Sequence, residues 1–418
     1  MVSERDTGLE VRDQYEAYPY PPRDPADEAK RLVTGSPSHL DELNHYVFGG
    51  RREFSQPFRA LVAGCGTGDG AIMLAQQLAN RGGPAEVVCL DLSTASLGIA
   101  TARAKARGLG NIRFHHASLF ELDGLDLGRF DYIDCCGVLH HLDDPPAGLA
   151  ALKRALKPGG GMGLMVYAPL GRAGVYEIQS LLRLISGHEA LEARIALARQ
   201  ALEALPENHP FRRNTILGDH RQLGTAGLVD LLLHARDRAY FVPELIALVE
   251  QAGLAISALI EPVRYRPEHY VADPALKQRL AALDAAKAWA AAELIAANLK
   301  RHIAYVVEPE ALLQAVARLN ASAIPVLKDV SAKALGRTLG AAGGLVLNYD
   351  GVRMRFPLPP EARGIVEAID GTRTLGEIHR ELGPLFPRYE DFNAAFDALY
   401  DALNGANILL LRYDPSRR

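Results

Sequence analysis

The chain has 418 residues, 48% of them hydrophobic and 23% charged, with a formal net charge of -4. That length allows two or three domains and a substantial core. The balance excludes a basic face able to track phosphates, and no uninterrupted apolar run is long enough to span a bilayer.

The opening MVSERDTGLE is charged and lacks the apolar stretch of a secretion signal, so a soluble cytoplasmic protein is expected. Residues 1–55 read as an N-terminal arm. Within it, VRDQYEAYPYPPR (residues 11–23) carries Pro19, Pro21 and Pro22, which argue against regular helix and for an extended or turning path. Tyr15, Tyr18 and Tyr20 ride on this segment, either packed onto the domain surface or laid over a ligand as a lid. The lid reading makes Tyr20 a candidate catalytic hydroxyl.

RALVAGCGTGDGAIMLA (residues 59–75) joins a short apolar run to a glycine cluster and then to an apolar-periodic segment, the pattern of a strand, a tight turn and a helix start. Gly64, Gly66 and Gly68 remove Cβ atoms that would hold a ligand away from the backbone. The unpaired N–H groups of the following helix face the same gap.

Strand and helix patterns then alternate. EVVCLD (86–91) ends in an acid, 94–107 is helical, and 112–116 and 130–136 (FDYIDCC) are strand-like. Residues 146–156 are helical, LKPGGG is a turn, and 162–167 is a further strand. Such alternation predicts a mostly parallel sheet with helices on both faces and a ligand over the strands' carboxyl ends. The four cysteines, Cys65, Cys89, Cys135 and Cys136, all fall in this region and lack zinc-ligand spacing, so packed thiols are expected. His115–His116, His140–His141 and Cys135–Cys136 are adjacent pairs; neighbours on a strand point to opposite faces, so no metal site is expected from them.

Residues 173–205 are mostly helical, followed by the polar loop FRRNTILGDHRQL (211–223) and by HARDRAY (234–240). A helix starts at Pro243, 254–260 is a strand, 275–299 is helical and 303–307 is a late strand. The first domain therefore covers 56–309, with insertions at about 173–243 and 262–300. Residues 310–330 read as a linker helix. In 331–418, two short strands flank Asp350-Gly351, a two-residue hairpin signal, and helices at 360–369, 375–382 and 391–404 precede a strand at 407–413. That combination suggests a small α+β, winged-helix-like module, read as a protein-interaction or gating element because its charges are balanced.

Two cofactors fit the glycine turn. Gly66, Gly68 and Ala71 satisfy G-x-G-x-x-A, and Asp91 lies at a distance suited to a ribose, which admits NAD. AGCGTG (63–68), CLDLS around Asp91, FDYIDCCGVLHHL (130–142) and LKPGGGMGLMVY (156–167) occur in the order that resembles the class I S-adenosylmethionine-dependent methyltransferases. The resemblance spans about 55–170 and extends more loosely to about 309. It implies an α/β fold, a Rossmann-like doubly wound sheet with helical insertions, and S-adenosylmethionine as cofactor.

Carried onto this sequence, the resemblance implies that Ala63, Gly64, Cys65, Gly66 and Gly68 hold the amino-acid end and that Asp91 accepts the ribose hydroxyls. Leu92 then packs beside the adenine, and Gly137 and Val138 lie along the methionine portion. Ser118 stands where the family commonly has an acid for the adenine, leaving that contact to Ser118 or the Leu119 backbone. His140 and His141 follow at the expected mouth as candidate bases.

The acceptor side is expected from the arm (Tyr15, Tyr18, Tyr20), His140, Tyr167 and the polar loops, with Arg212, Asn214, Asp219, His220 and Arg221 as a hydrogen-bonding set. The arm and the C-terminal module also look like bacterial methyltransferases with regulatory extensions, some of which modify protein lysines. The expectation is methyl transfer to an N or O nucleophile of a protein, peptide or polar metabolite. The alternative is a silent cofactor-binding regulator. A homodimer is compatible with the sequence, and no nucleic-acid or membrane partner is expected.

Overall fold

The structure is a computed structural model that describes residues 4–342 and 344–417. Its apolar runs form β1 (Phe58–Ala63), β2 (Ala85–Asp91), β3 (Ile112–His116), β4 (Phe130–Cys136), β5 (Leu156–Tyr167), β6 (Ala255–Leu259) and β7 (Arg301–Val307). They make one seven-stranded sheet in the order β3-β2-β1-β4-β5-β7-β6. The β1–β2, β1–β4, β2–β3 and β4–β5 pairs are parallel, and β6–β7 is antiparallel. Every residue of β1 except Arg59 is buried, as a strand covered on both faces requires. Strand order reverses between β1 and β4, which opens a crevice at their carboxyl ends.

The first-half helices are α1 (Glu4–Ala17), α2 (Leu40–Tyr46), α3 (Asp69–Arg81), α4 (Thr94–Ala106), α5 (Pro145–Ala155), α6 (Val175–Ser186) and α7 (Leu191–Ala204). Helix α4 is capped by Ser93, whose side chain accepts from the Ser96 N–H, and α5 by Asp144, which accepts from the Ala147 N–H ahead of a proline-led first turn. Helices α6 and α7 bury one apolar face each, around Ile178, Leu182, Ile195 and Ala198, in a cluster completed by Phe211, Leu228 and Leu232.

The chain folds into two compact units that interleave along the sequence. One holds the residues up to His39 together with Phe54–Leu254 and Ala297–Ile303. The other holds Leu40–Glu53, Ala255–Ala296 and the residues from Ala304 onward. In the second unit, β8 (Ile324–Leu327) pairs antiparallel with β11 (Leu409–Arg412), and β9 (Leu345–Tyr349) with β10 (Val352–Phe356) across Asp350-Gly351. Its core is built on Ile365, Val366, Phe392, Phe396 and Leu399. It also contains a buried polar knot. Glu42, fully shielded, accepts from Lys328 Nζ at 2.6 Å, Tyr305 Oη at 2.8 Å and Asn407 Nδ2 at 2.9 Å.

Four expectations need correction. Helix α1 runs to Ala17, because the prolines restrict Tyr18 and the residues after it but not the chain before, so residues 11–17 are helical and not extended. The linker at 310–330 is not one helix: a single turn, Leu312–Ala315, is followed by β8. The helical stretch at 275–299 is two helices, Pro274–Ala281 and Ala285–Ala296, with Asp284 accepting from the Lys287 N–H at the restart. The LKPGGG segment belongs to β5, whose pairing with β4 is irregular between Phe130 and Tyr132.

Candidate functional site

The turn after β1 sets the geometry. Gly64 and Gly66 have φ of 69° and 52°. A Cβ on Gly64 would lie 2.3 Å from Val138 Cγ2, and one on Gly66 2.9 Å from the Tyr20 carbonyl oxygen. Only glycine allows this approach of two chain segments. The turn is clamped from outside by Arg103 of α4, which is buried and donates to the Thr67 carbonyl at 2.7 Å and to Asp69 at 2.8 Å. Burial would raise the Asp69 carboxyl, but the Arg23 hydrogen bond and the Arg23 and Arg103 charges outweigh it and hold its pKa below the usual value.

The arm is stapled over the turn. Thr67 Oγ1 donates to the Pro21 carbonyl at 2.7 Å, and Arg23 forks onto Asp69. Glu16 accepts from the Thr94 and Ala95 N–H groups, satisfying the start of α4.

Asp91 ends β2 under the turn, where its carboxylate accepts from the Gly66 N–H at 2.7 Å and the Ser93 N–H at 2.9 Å. Burial pushes its pKa up, against those two hydrogen bonds. Beyond β4, Gly137 has φ 82° and its N–H donates to the Met165 carbonyl.

These residues line one cleft of about 1700 Å³ within the first unit. Gly64, Cys65, Gly66, Asp91, Leu92, Ser118, Leu119, Gly137 and Val138 all reach it, as do Tyr15, Tyr20, His141 and Tyr167. Two glycine-turn residues do not. Ala63 is packed inside β1, and Gly68 closes against α4, where a Cβ would lie 3.0 Å from that of Ala100. Ser118 caps the turn Leu119–Gly124 in a reciprocal box with Glu121, so its hydroxyl already accepts from the Phe120 N–H.

Several expected acceptor-side residues lie elsewhere. His140 is buried behind the cleft lining, its ring 4.1 Å from that of Tyr167, and burial lowers its pKa well below the usual range. Tyr18 packs against the α6–α7 cluster. The 211–223 loop is structural. Arg212 donates to the Leu205 carbonyl, Asn214 to those of Gly171 and Ala173, and Arg221 to that of Leu217. His220 packs on Phe211, Asp219 opens a one-turn helix, and none of the five reaches the cleft. These side chains occupy carbonyls that helix ends and turns leave open.

Residues 230–240 form a hydrogen-bonded cluster against the cleft, of which Asp230 itself lines it. Asp230, 3% exposed, accepts from Tyr15 Oη at 3.1 Å and from Tyr167 Oη at 3.3 Å. Tyr15 Oη also meets His234 Nε2 at 3.1 Å. The Arg236 N–H donates to His234 Nδ1 at 3.0 Å, and His141 Nδ1 lies 2.6 Å from the Arg236 carbonyl. A carbonyl only accepts, so His141 carries its proton on Nδ1, while a neutral His234 carries its proton on Nε2. Arg172 sits 3.7 Å from the Tyr167 ring centre and pairs with Asp237 at 2.7 Å, both side chains buried.

His141, Asp230 and His234 bring potential ligand atoms within 4.8 Å of one another. Ligation through His234 Nε2 would require the proton to move to Nδ1, against the Arg236 N–H. The hydrogen bonds therefore favour a proton-bearing cluster over a metal centre.

Burial raises the Tyr20 phenol, which suits it to donating a hydrogen bond and not to acting as a base. Among the described residues no helix is long and apolar enough to cross a membrane, and all four cysteines are free thiols.

Residues 60–160 match the family model of a methyltransferase domain. An uncharacterized protein of Synechococcus sp. is 32% identical over 261 residues, covering 61% of this chain and 60% of that protein. A ubiquinone biosynthesis O-methyltransferase of Alkalilimnicola ehrlichii is 34% identical over 139 residues, covering 33% of this chain and 51% of that protein. The chain thus spans 60% or less of the length of these curated relatives. The solved structure of PKMT2 from Rickettsia typhi in complex with AdoHcy aligns with a TM-score of 0.62 at 14% identity, over 90% of this chain and 76% of that one. At that identity the likeness speaks to the fold, a Rossmann-like mostly parallel sheet.

Proposed function

We propose that this chain, whose residues 60–160 form a methyltransferase domain, uses S-adenosylmethionine to methylate an N or O nucleophile. The observation that carries the reading is the junction of the glycine turn with Asp91. Gly64 and Gly66 let Val138 and the Tyr20 carbonyl close against the turn where a Cβ would clash, and a carboxylate is fixed at the edge of the cleft by the Gly66 N–H. The Gly64 and Cys65 N–H groups are spent on the Leu90 carbonyl, that of Gly68 on the Cys65 carbonyl and that of Gly66 on Asp91, so the turn offers a ligand its shape and the Asp91 carboxylate. Asp91 keeps lone pairs for the two ribose hydroxyls, and Leu92 offers an apolar edge to a base.

Bound there, S-adenosylmethionine supplies an electrophilic methyl group, and the protein's part is alignment and exclusion of water. Tyr20 and the stapled arm cover the turn. Val138 and Gly137 shape the wall after β4. His141, with its Nδ1 proton held by the Arg236 carbonyl, presents Nε2 as an acceptor. The acceptor is a protein, a peptide or a polar metabolite.

Radiolabelled methyl transfer into a mixed cell lysate, fractionated by size, tests the reading. Label is expected in a protein or small-molecule fraction with wild type and at a reduced level with Asp91→Ala. Tight binding of S-adenosylhomocysteine without transfer to any fraction would contradict it in favour of a silent regulator.

A further inference from the structure

Tyr15 and Tyr167 come from α1 and β5, and both direct their phenolic protons to one buried carboxylate, that of Asp230. All three residues line the cleft. With those protons engaged, the two phenols present oxygen lone pairs to the cleft, beside a carboxylate that only accepts when ionised. His234 stands behind Tyr15. Its Nδ1 accepts from the Arg236 N–H, so its Nε2–H donates to Tyr15 Oη and fixes the direction of the Tyr15 proton towards Asp230.

The charge of the lining agrees. Seven carboxylates line the cleft against three guanidinium groups, those of Arg12, Arg23 and Arg301. Arg23 is engaged by Asp69 and Arg12 by Asp13, while Asp69 and Asp143 are also paired with Arg103 and Arg236 outside the lining, which leaves five carboxylates against Arg301. A site of this sign and hydrogen-bonding character favours a cation with several N–H donors over a neutral hydroxyl.

We propose that Asp230 is the carboxylate that binds and deprotonates an acceptor carrying a primary amine, and that Tyr15 and His234 are positioning residues that hold it. This rests on the methyl-transfer reading above and narrows its acceptor to an ammonium-bearing compound or side chain. In the step, Asp230 takes a proton from the ammonium group. The freed nitrogen lone pair forms the C–N bond as the methyl–sulfur bond breaks and its electron pair returns to sulfur. The products are a neutral thioether and a methylated ammonium ion, and the proton on Asp230 leaves to water.

Burial pushes the Asp230 carboxyl up to about 7. Arg172 and the Tyr15 and Tyr167 hydroxyls pull it down, and Asp237 pushes it up. Tyr20, His141 and His234 complete the titratable surroundings, and burial holds both imidazoles on the neutral side. A base that ionises near neutrality matches the task of collecting a proton and releasing it again.

The test uses the full chain saturated with S-adenosylhomocysteine and titrated by calorimetry with n-butylamine or n-butanol. The amine is expected to bind about tenfold more tightly than the alcohol at pH 8, with the preference shrinking as pH falls below 7. Asp230→Asn is expected to abolish the preference while S-adenosylhomocysteine still binds, which also certifies that the variant is folded. Tyr15→Phe keeps the ring and is expected to lower the preference about three- to tenfold and to shift its pH midpoint upward. Equal affinity for amine and alcohol, or an amine preference that survives Asp230→Asn, overturns the proposal and leaves the donor site standing. Failure of wild type to bind S-adenosylhomocysteine overturns the methyl-transfer reading and the proposal with it.

Discussion

The Gly66 N–H donates to Asp91 Oδ2 at 2.7 Å, across 25 residues of sequence. This one bond joins the turn after β1 to the acid at the end of β2. A change in the turn therefore alters where the carboxylate points into the cleft.

Gly64→Ala is expected to damage stability and ligand binding together. Its Cβ would enter Val138 at 2.3 Å, at a φ of 69° that L-residues seldom adopt. Overpacking and left-handed strain together are worth about 2–4 kcal/mol. Chemical denaturation should show that loss, and calorimetry a weaker hold on S-adenosylhomocysteine. Wild-type values in both would mean that Val138 moves aside freely.

Much of the fold was legible because its signals are local. The apolar run ending at Ala63 runs straight into the glycine cluster, and the run 86–91 ends in its own acid, so each signal spans only a few residues, the range over which strand period and turn chemistry read. The cluster around Asp230 was not legible. Tyr15 meets Asp230 across 215 residues, and nothing near Asp230 in GLVDLLLH marks it as more than a polar interruption of a helix. The 211–223 loop misled for the converse reason: its arginines and amide look like a recognition set, yet they bond neighbouring carbonyls. HARDRAY stands behind the cleft lining, where His234 meets Tyr15 and the Arg236 carbonyl meets His141.

Removing Glu42 is expected to be severe in the second unit. Glu42→Ala would strip the partner of Lys328, whose side chain is 15% exposed, and leave Tyr305 and Asn407 with an unfilled bond. Breaking a buried pair from one side costs about 3–5 kcal/mol. Urea denaturation checks this, and a loss under about 1 kcal/mol would show that water replaces the carboxylate.

Asp134 predicts the sign of one pH effect. Burial pushes its carboxyl up to about 6, against the hydrogen bond from Ser38. A raised folded-state pKa means that the folded form binds the extra proton between about 4 and about 6, so stability from this group is present at low pH and lost as pH rises through that window. Asp134→Asn removes the dependence. The variant is expected to match wild type near pH 4 and to exceed it by about 1–3 kcal/mol at pH 8. Parallel stability–pH curves for the two proteins would contradict this.

The most direct measurement is equilibrium binding of S-adenosylhomocysteine to wild type and to Asp91→Ala, with NAD as the competing ligand. The structure predicts binding to wild type, a loss of about 1–3 kcal/mol in Asp91→Ala, and no displacement by NAD. Binding of NAD in place of S-adenosylhomocysteine, or equal affinity in Asp91→Ala, would contradict the assignment of the glycine turn and Asp91 to the methyl donor.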